Sequence, residues 1–435
     1  MDTIAKVNLW GRTIGVVRWN DGQKIGEFQY IPEFVKSGIQ VSPLKMPLSD
    51  SPYSFPAVSY ETFRGLPGLL ADSLPDKFGN AVIDAWLSQQ QRDLASVNSV
   101  ERLCYAGQRG MGALEYEPAL FDSSSEGAIL EVASLVDLSN RILNERGQLG
   151  GSFNGGDDAE ALKTILRVGT SAGGARAKAI LAWNPLTNEF RSGQIPARSG
   201  FEHWILKFDG ITNNRDKELA DPVGYGKIEY AYSLMAKQAG ILMTDCRLHH
   251  EGGRSHFMTK RFDRTDSGQK IHMQSLCAIS HVDFNQAGVY SYEQALMDMK
   301  HLPLSRMDLE QQVLRAMFNV VARNQDDHVK NIAFLMTPDG SWRLSPAFDV
   351  TYAYDPLGKW TQTHQMVINA KRDNFTVEDL VSLAAVAGVK PTRAKEMLKM
   401  VVETVKHWEE FAGAAKVEKN IADGIAKTHR VNFLG

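Results

Sequence analysis

The chain has 435 residues, 43% of them hydrophobic and 23% charged, with a formal net charge of −3. At roughly 150 residues per domain this length allows about three compact units, and the composition excludes a collagen, a disordered tail protein and a disulfide mini-scaffold. The slightly acidic balance excludes a global polycationic footprint of the kind that binds nucleic acid by charge alone.

The first thirty residues read as a β-meander. Ile4 to Trp10, Thr13 to Trp19 and Lys24 to Tyr30 are short runs separated by Gly11-Arg12 and by Asn20 to Gln23, both of which are hairpin chemistry. After an irregular, Pro-containing stretch, a helix is predicted from Pro75, with Asp76 in its first turn and an apolar face through Leu87. A second helix, Ser99 to Tyr105, is closed by Gly107.

Asp122 to Gly127 and Gly147 to Asp158 read as loops. Past a short helix at Glu160 to Arg167 lies a Gly-rich segment, Gly169 to Lys178, followed by an apolar run, Ala179 to Trp183. His203 to Phe208 is strand-like, and Lys227 to Gln238 is an amphipathic helix stopped by Gly240. Two strand-like runs flank Glu251-Gly252-Gly253, ending at Lys260 to Arg264. The rest is mostly helical. Asp308 to Arg323 is capped by Ser305, a hairpin turns at Thr337 to Gly340, and Thr376 with Asp379 forms a capping box.

Four features bear on chemistry. The Gly-rich segment can bring backbone N–H groups close to phosphate oxygens, but Ala175 stands where a P-loop needs lysine. Asp326 and Asn331 have the spacing of a kinase base and a magnesium-holding amide, although Asn324-Gln325 replaces the usual His-Arg. Phe348-Asp349 places a carboxylate after an apolar strand, where a kinase holds its main magnesium ligand. Lys207 sits in an apolar strand, a costly position unless it is paired, and Glu229 on the next helix is the natural partner. Their order along the chain is the order of parts in a kinase. No zinc-ligand spacing and no G-x-S-x-G elbow is present. Lys395, Lys399, Lys406, Lys416, Lys419, Lys427 and Arg430 alternate with acidic residues, as on a solvated helix face.

Cys104, Cys246 and Cys277 are far apart and form no CxxC pair, which points to a reducing, cytoplasmic setting. The first six residues lack the features of a secretory signal. The apolar stretch Leu380 to Val389 is about half the ~20 residues that a membrane span requires, so no membrane association is expected.

The chain resembles the HipA-family serine/threonine kinases, toxins of bacterial toxin–antitoxin pairs. The resemblance runs through Phe63-Arg64-Gly65-Leu66-Pro67, Ala71 to Asp76, Gly173 to Lys178, Lys260 to Arg264, Asp326 to Asn331 and Phe348-Asp349. It implies an α+β, two-lobed, protein-kinase-like fold. Residues 1–120 would form an N-terminal module, 121–265 a β-rich N-lobe and 266–435 an all-helical C-lobe. It also implies ATP and Mg2+ as cofactors. Asp326 would be the catalytic base, with adjacent Asp327 the alternative, and Asn331 and Asp349 would hold magnesium. Lys178 and Lys207 would contact phosphates, with backbone from Ala172, Gly173, Gly174 and Ala175, and Glu229 would hold Lys207. Lys260, Arg261 and Phe262 would line the adenine and Asp263 the ribose, with His328 and Lys330 also at the nucleotide. Ser171 would be the autophosphorylated serine, with Thr170 the competitor, and phosphate there would repel the phosphates of ATP. The implied partners are a protein substrate, possibly an aminoacyl-tRNA synthetase, and a small helix-turn-helix antitoxin, with operator DNA through that complex. The rival readings are a small-metabolite kinase and a non-catalytic co-repressor scaffold.

Overall fold

The computed structural model describes residues 3–121, 130–144, 162–166, 168, 176–193, 199–210 and 224–433. The chain opens as a meander, β1 (Ile4–Leu9), β2 (Arg12–Asn20) and β3 (Ile25–Tyr30). The first turn is centred one residue earlier than expected. Trp10 and Gly11 have φ of 50° and 74°, the two left-handed positions of a tight hairpin turn. A strand that periodicity did not single out, β4 (Leu114–Glu117), returns beside β1 and completes a sheet of order β3-β2-β1-β4.

Helix α1 (Lys77–Gln89) starts two residues later than predicted, because Asp76 is its cap rather than part of its first turn. The Asp76 carboxylate accepts the Gly79 N–H at 2.7 Å. The apolar face of α1, with Phe78, Val82, Ile83 and Leu87, does not pack against the meander. It joins α2 (Val132–Asn144) in a core with Leu181, Leu206 and Met258. Residues 1–120 are therefore divided between two cores. The predicted loops within 122–129 and 145–158 lie outside the described residues.

The N-lobe sheet is antiparallel with order β6-β5-β7-β9-β8. Its strands are β5 (Lys178–Trp183), β6 (Phe190–Ser192), β7 (Glu202–Lys207), β8 (Cys246–Glu251) and β9 (Arg254–Lys260). Helix α3 (Tyr225–Gln238) buries Ile228, Ala231, Tyr232 and Met235 in the second, larger core. That core runs without a break from the meander (Val7, Val17, Phe28) to the helical lobe (Phe318, Leu383, Val401).

The C-lobe is built on α4 (Arg306–Val321), α5 (Val377–Val386) and α6 (Pro391–Lys406). Ser305 with Asp308 and Thr376 with Asp379 form reciprocal capping boxes at the first two. This lobe is not entirely helical. It carries a small sheet, β10 (His272–Ser275), β11 (Ala333–Met336) and β12 (Trp342–Leu344), whose last two strands are the predicted hairpin.

Where module and lobes meet, Asp263 is fully buried. It accepts two bonds from Arg261 at 2.8 and 2.7 Å, one from Arg264 at 2.8 Å and one from the Gly112 N–H at 2.7 Å. Gly112 can approach because it has no side chain. A Cβ there would stand 2.9 Å from the Met273 nitrogen, and its φ is +75°. Burial pushes the Asp263 carboxyl up, but Arg261 and Arg264 outweigh burial and hold it below the carboxylate range.

A carboxyl held low in the folded state contributes stability above its unfolded pKa of about 3.9, and that stability is lost as pH falls further. We expect Asp263→Ala to cost about 3–5 kcal/mol, because it strands two buried guanidinium groups. Urea melts at neutral pH measure this loss, and an unchanged midpoint would refute it. Part of the wild-type loss of stability below about pH 4 should be missing in the variant.

Candidate active site

Lys178 and Lys207 are directly opposed in the register of β5 and β7. Two ammonium groups so placed repel each other unless each has a counter-charge. Lys207 donates to Glu229 Oε1 at 2.5 Å and to Asp349 Oδ1. Burial alone would lower the Lys207 pKa, but Asp349 and Glu229 outweigh it and raise it. Glu229 is held on α3 with 1% exposure and also receives Arg176 at 3.3 Å. The Arg176 guanidinium lies 3.6 Å from the centre of the Tyr225 ring. Lys178 is paired with Asp76, Nζ to Oδ2 at 3.2 Å, and both side chains are at least nine-tenths buried.

Asp349 has φ of 52°, a left-handed position that lifts its carboxylate out of the chain path toward Lys207. Burial would raise its pKa, but Lys207 and then Lys178 pull it below the ordinary value.

The end of α4 leads into Asn324 to Asn331. There the two adjacent carboxylates separate in role. Asp327 has no exposed side-chain surface. It accepts Tyr292 O–H at 2.8 Å and the Gln365 N–H at 2.8 Å, and it pairs with His364 Nδ1 at 2.8 Å. Burial pushes the Asp327 carboxyl up, and His364 with these donors brings it below the usual value. Asp326 keeps 28% of its side chain exposed. Its Oδ1 accepts the Trp360 indole N–H at 2.7 Å, with His328 Nε2 at 3.7 Å. Asn331 donates to the Asp326 carbonyl at 2.9 Å, which fixes the amide next to Asp326. Asn331, Asp349, His328 and Phe348 line one cleft. Asp327 lines it too, whereas Lys207 reaches it through Asp349 and the Asp326 carboxylate stands beside it, with His328 Nε2 3.7 Å away.

The segment joining the lobes departs from expectation. Asp263 is the buried hub described above, and its oxygens are already engaged, so it does not present a carboxylate to a ribose. Arg261 is its partner, with 3% exposure. Lys260 points to Glu202 at 3.2 Å and Asp266 at 3.4 Å. The backbone N–H groups of Lys260 and Arg261 are bonded to Asp245 and His203 carbonyls. Phe262 alone of these residues reaches toward the cleft, with its ring 5.5 Å from Phe348. Lys330 lies 5.1 Å from the Phe284 ring centre, and its charge acts on Asp72 and Asp76. Thr170, Ser171, Ala172, Gly173, Gly174 and Ala175 lie outside the described residues.

Sequence reasoning missed three participants. Asp76 read as a first-turn helix residue and as the end of the Ala71 to Asp76 run, with no role at the site, and Lys178 beside an apolar run was the signal that a counter-charge was needed. Arg176 stands two residues before that lysine and is the second donor to Glu229. Trp360 had no sequence signal, since nothing in a lone tryptophan says which acceptor its N–H will meet.

Asn331 and Asp349 line the same cleft and are the residues that would hold a magnesium ion. Among the described residues no cluster of three or more His, Cys, Asp or Glu is arranged for a metal. The donor set is instead one carboxylate and one amide, the sparse ligation used by magnesium that is held mainly by substrate phosphates and water. Among the described residues no helix is long and apolar enough to cross a membrane.

Two family models match the chain, the HipA N-terminal domain over residues 5–117 and the HipA-like C-terminal domain over residues 170–408. No curated protein sequence matches. Among solved structures, the HipA, HipB and operator DNA complex of Shewanella oneidensis MR-1 is similar at a TM-score of 0.68 and 15% identity. The match covers 97% of this chain and 94% of that one. The Helicobacter pylori proinflammatory kinase CtkA matches at a TM-score of 0.36 and 12% identity, over 60% of this chain and 90% of that one. The similarity to the Shewanella structure shows the fold, that of HipA.

The two neighbouring carboxylates should respond differently to neutralisation. Asp327→Asn, which breaks a buried network, is expected to destabilise the fold by about 2–3 kcal/mol. Asp326→Asn should change stability by less than about 1 kcal/mol. Thermal and urea unfolding of the two variants test this, and equal losses would contradict it.

Proposed function

The chain belongs to the HipA family, and from that premise we propose that it is an ATP- and magnesium-dependent serine/threonine protein kinase. The observation that carries this reading is Lys207 bridging Glu229 and Asp349 beside a cleft that also receives Asn331 next to Asp326.

In this reading Lys207, held by Glu229, meets the phosphates of ATP, and Lys178 adds a second positive charge from the adjacent strand. Asp349 and Asn331 would hold magnesium, which when bound offsets charge on the phosphate oxygens. Asp326 accepts the proton of the attacking hydroxyl, and Trp360 fixes the orientation of its carboxylate. Phe262 and Phe348 offer apolar surface at the inner end of the cleft. With preorganised charges in place, the reaction needs mainly in-line positioning.

The reading extends to regulation and partners. Ser171 is proposed as an autophosphorylated residue, where about two added negative charges oppose those of ATP. The chain would act as the toxin of a toxin–antitoxin pair in the cytoplasm. By likeness to the Shewanella complex, its partner would be a HipB-like helix-turn-helix protein on operator DNA. The proposed substrate is a protein of translation such as an aminoacyl-tRNA synthetase.

Incubation with ATP and magnesium followed by intact-mass measurement should show a step of roughly 80 daltons, one phosphoryl group, mapping to Ser171 in peptides. Asp326→Asn should lower turnover by on the order of 10²–10⁴, and unchanged autophosphorylation would remove it from the chemistry. Labelled ATP added to a cell lysate should mark proteins. Label confined to small molecules would favour a metabolite kinase instead.

A further inference from the structure

We infer that Asp76, supplied by the N-terminal segment, is a positioning residue for the nucleotide: it does for Lys178 what Glu229 does for Lys207. The inference rests on the nucleotide reading above and adds a residue to it.

The two lysines face each other across β5 and β7, and each is held by a buried carboxylate from a helix-borne position. Glu229 lies within α3, at 2.5 Å from Lys207. Asp76 lies at the cap of α1, at 3.2 Å from Lys178. Asp76 is not free to follow a moving lysine. Its Oδ1 accepts the Gly79 N–H at 2.7 Å, and α1 is anchored by Phe78, Val82 and Ile83 in the N-lobe core. The rigid partner thus sets where the Lys178 ammonium stands, and that position lies close enough to Asp349 to stabilise its charge.

The pair is a poor device for stability alone. Burial raises the Asp76 carboxyl above its ordinary range and Lys178 offsets this only in part, the balance found where ionic groups are kept for a purpose other than net stabilisation. The same segment is tied to the other side of the cleft. Asp72 accepts the Ser275 N–H at 2.6 Å and its hydroxyl at 2.8 Å, and Lys330 of the catalytic loop acts on both Asp72 and Asp76. Asp72 to Asp76 therefore runs from Ser275 at the end of β10 to the β5 lysine, and brings the N-terminal segment against both.

The test is calorimetric titration of the full-length protein with ATP and, separately, with adenosine, which lacks the phosphates. Asp76→Asn keeps the helix cap, since Asn caps as well as Asp, and removes the charge. ATP affinity should fall about tenfold, with adenosine affinity unchanged. An ATP-to-adenosine ratio equal to or above that of the wild type would overturn the inference, as would equal losses for both ligands, which would mean general damage. In a Lys178→Met background, adding Asp76→Asn should produce no further loss of ATP affinity, and a further loss would overturn the inference. This double variant removes both charges of the Asp76–Lys178 pair, so it also carries the test if the single variant does not fold. A wild type that binds ATP alongside an unaltered Asp76→Asn defeats only this inference. A wild type that binds no ATP defeats the nucleotide reading, and this inference with it.

Discussion

A buried ammonium group must have anions beside it, and the arrangement of this molecule follows from that constraint at Lys207. The charge is removed from water inside a β-sheet, where an unpaired cation would be prohibitive. Glu229 arrives from α3 and Asp349 from the far side of the cleft, so one side chain joins sheet, helix and C-lobe. The left-handed backbone at Asp349 and the second donor, Arg176, on Glu229 are the local adjustments that let three elements meet at one atom. An incoming polyphosphate would meet a cluster of charges already in position.

A second ionic knot serves architecture. Asp263 and its two arginines sit where the β-meander, the N-lobe and the C-lobe come together, and Gly112 provides the close backbone approach. The contrast between Asp263 and Asp349 is instructive. Both are carboxylates held low by cations, but Asp263 is fully buried, enclosed by arginine forks and a backbone N–H, while Asp349 keeps 27% of its side chain exposed and lines a cleft. Pairing marks a residue as constrained, and only the surroundings separate a structural hub from a reactive group.

The parts of the fold legible in the sequence were those with local causes. The meander, the caps at Ser305 and Thr376, and the stop at Gly240 follow from turn chemistry and periodicity. The order of Lys207, Glu229, Asp326, Asn331 and Asp349 was also readable, because each occupies a recognisable local setting. What could not be read was long-range use of polar groups. Asp263 lies in a motif that resembles a ribose-contacting segment, but two arginines within two residues of it take its carboxylate inward. Asp326 and Asp327 are chemically identical in sequence, and only Tyr292, His364 and Gln365, between 35 and 38 residues away along the chain, decide which one is enclosed. Strand β4 was missed because its four residues are too short for an alternating pattern to stand out.

The continuous core shared by the meander and the helical lobe sets a schedule for biosynthesis. Val7, Val17 and Phe28 leave the ribosome among the first thirty residues, yet the core that encloses them also contains Leu383 and Val401. At roughly 5–20 residues per second, the earliest strands wait on the order of half a minute for the last pieces of their own interior. Until then only residues such as Phe63, Leu69 and Tyr116 are there to cover them, and the part of the interior that belongs to the helical lobe stays open.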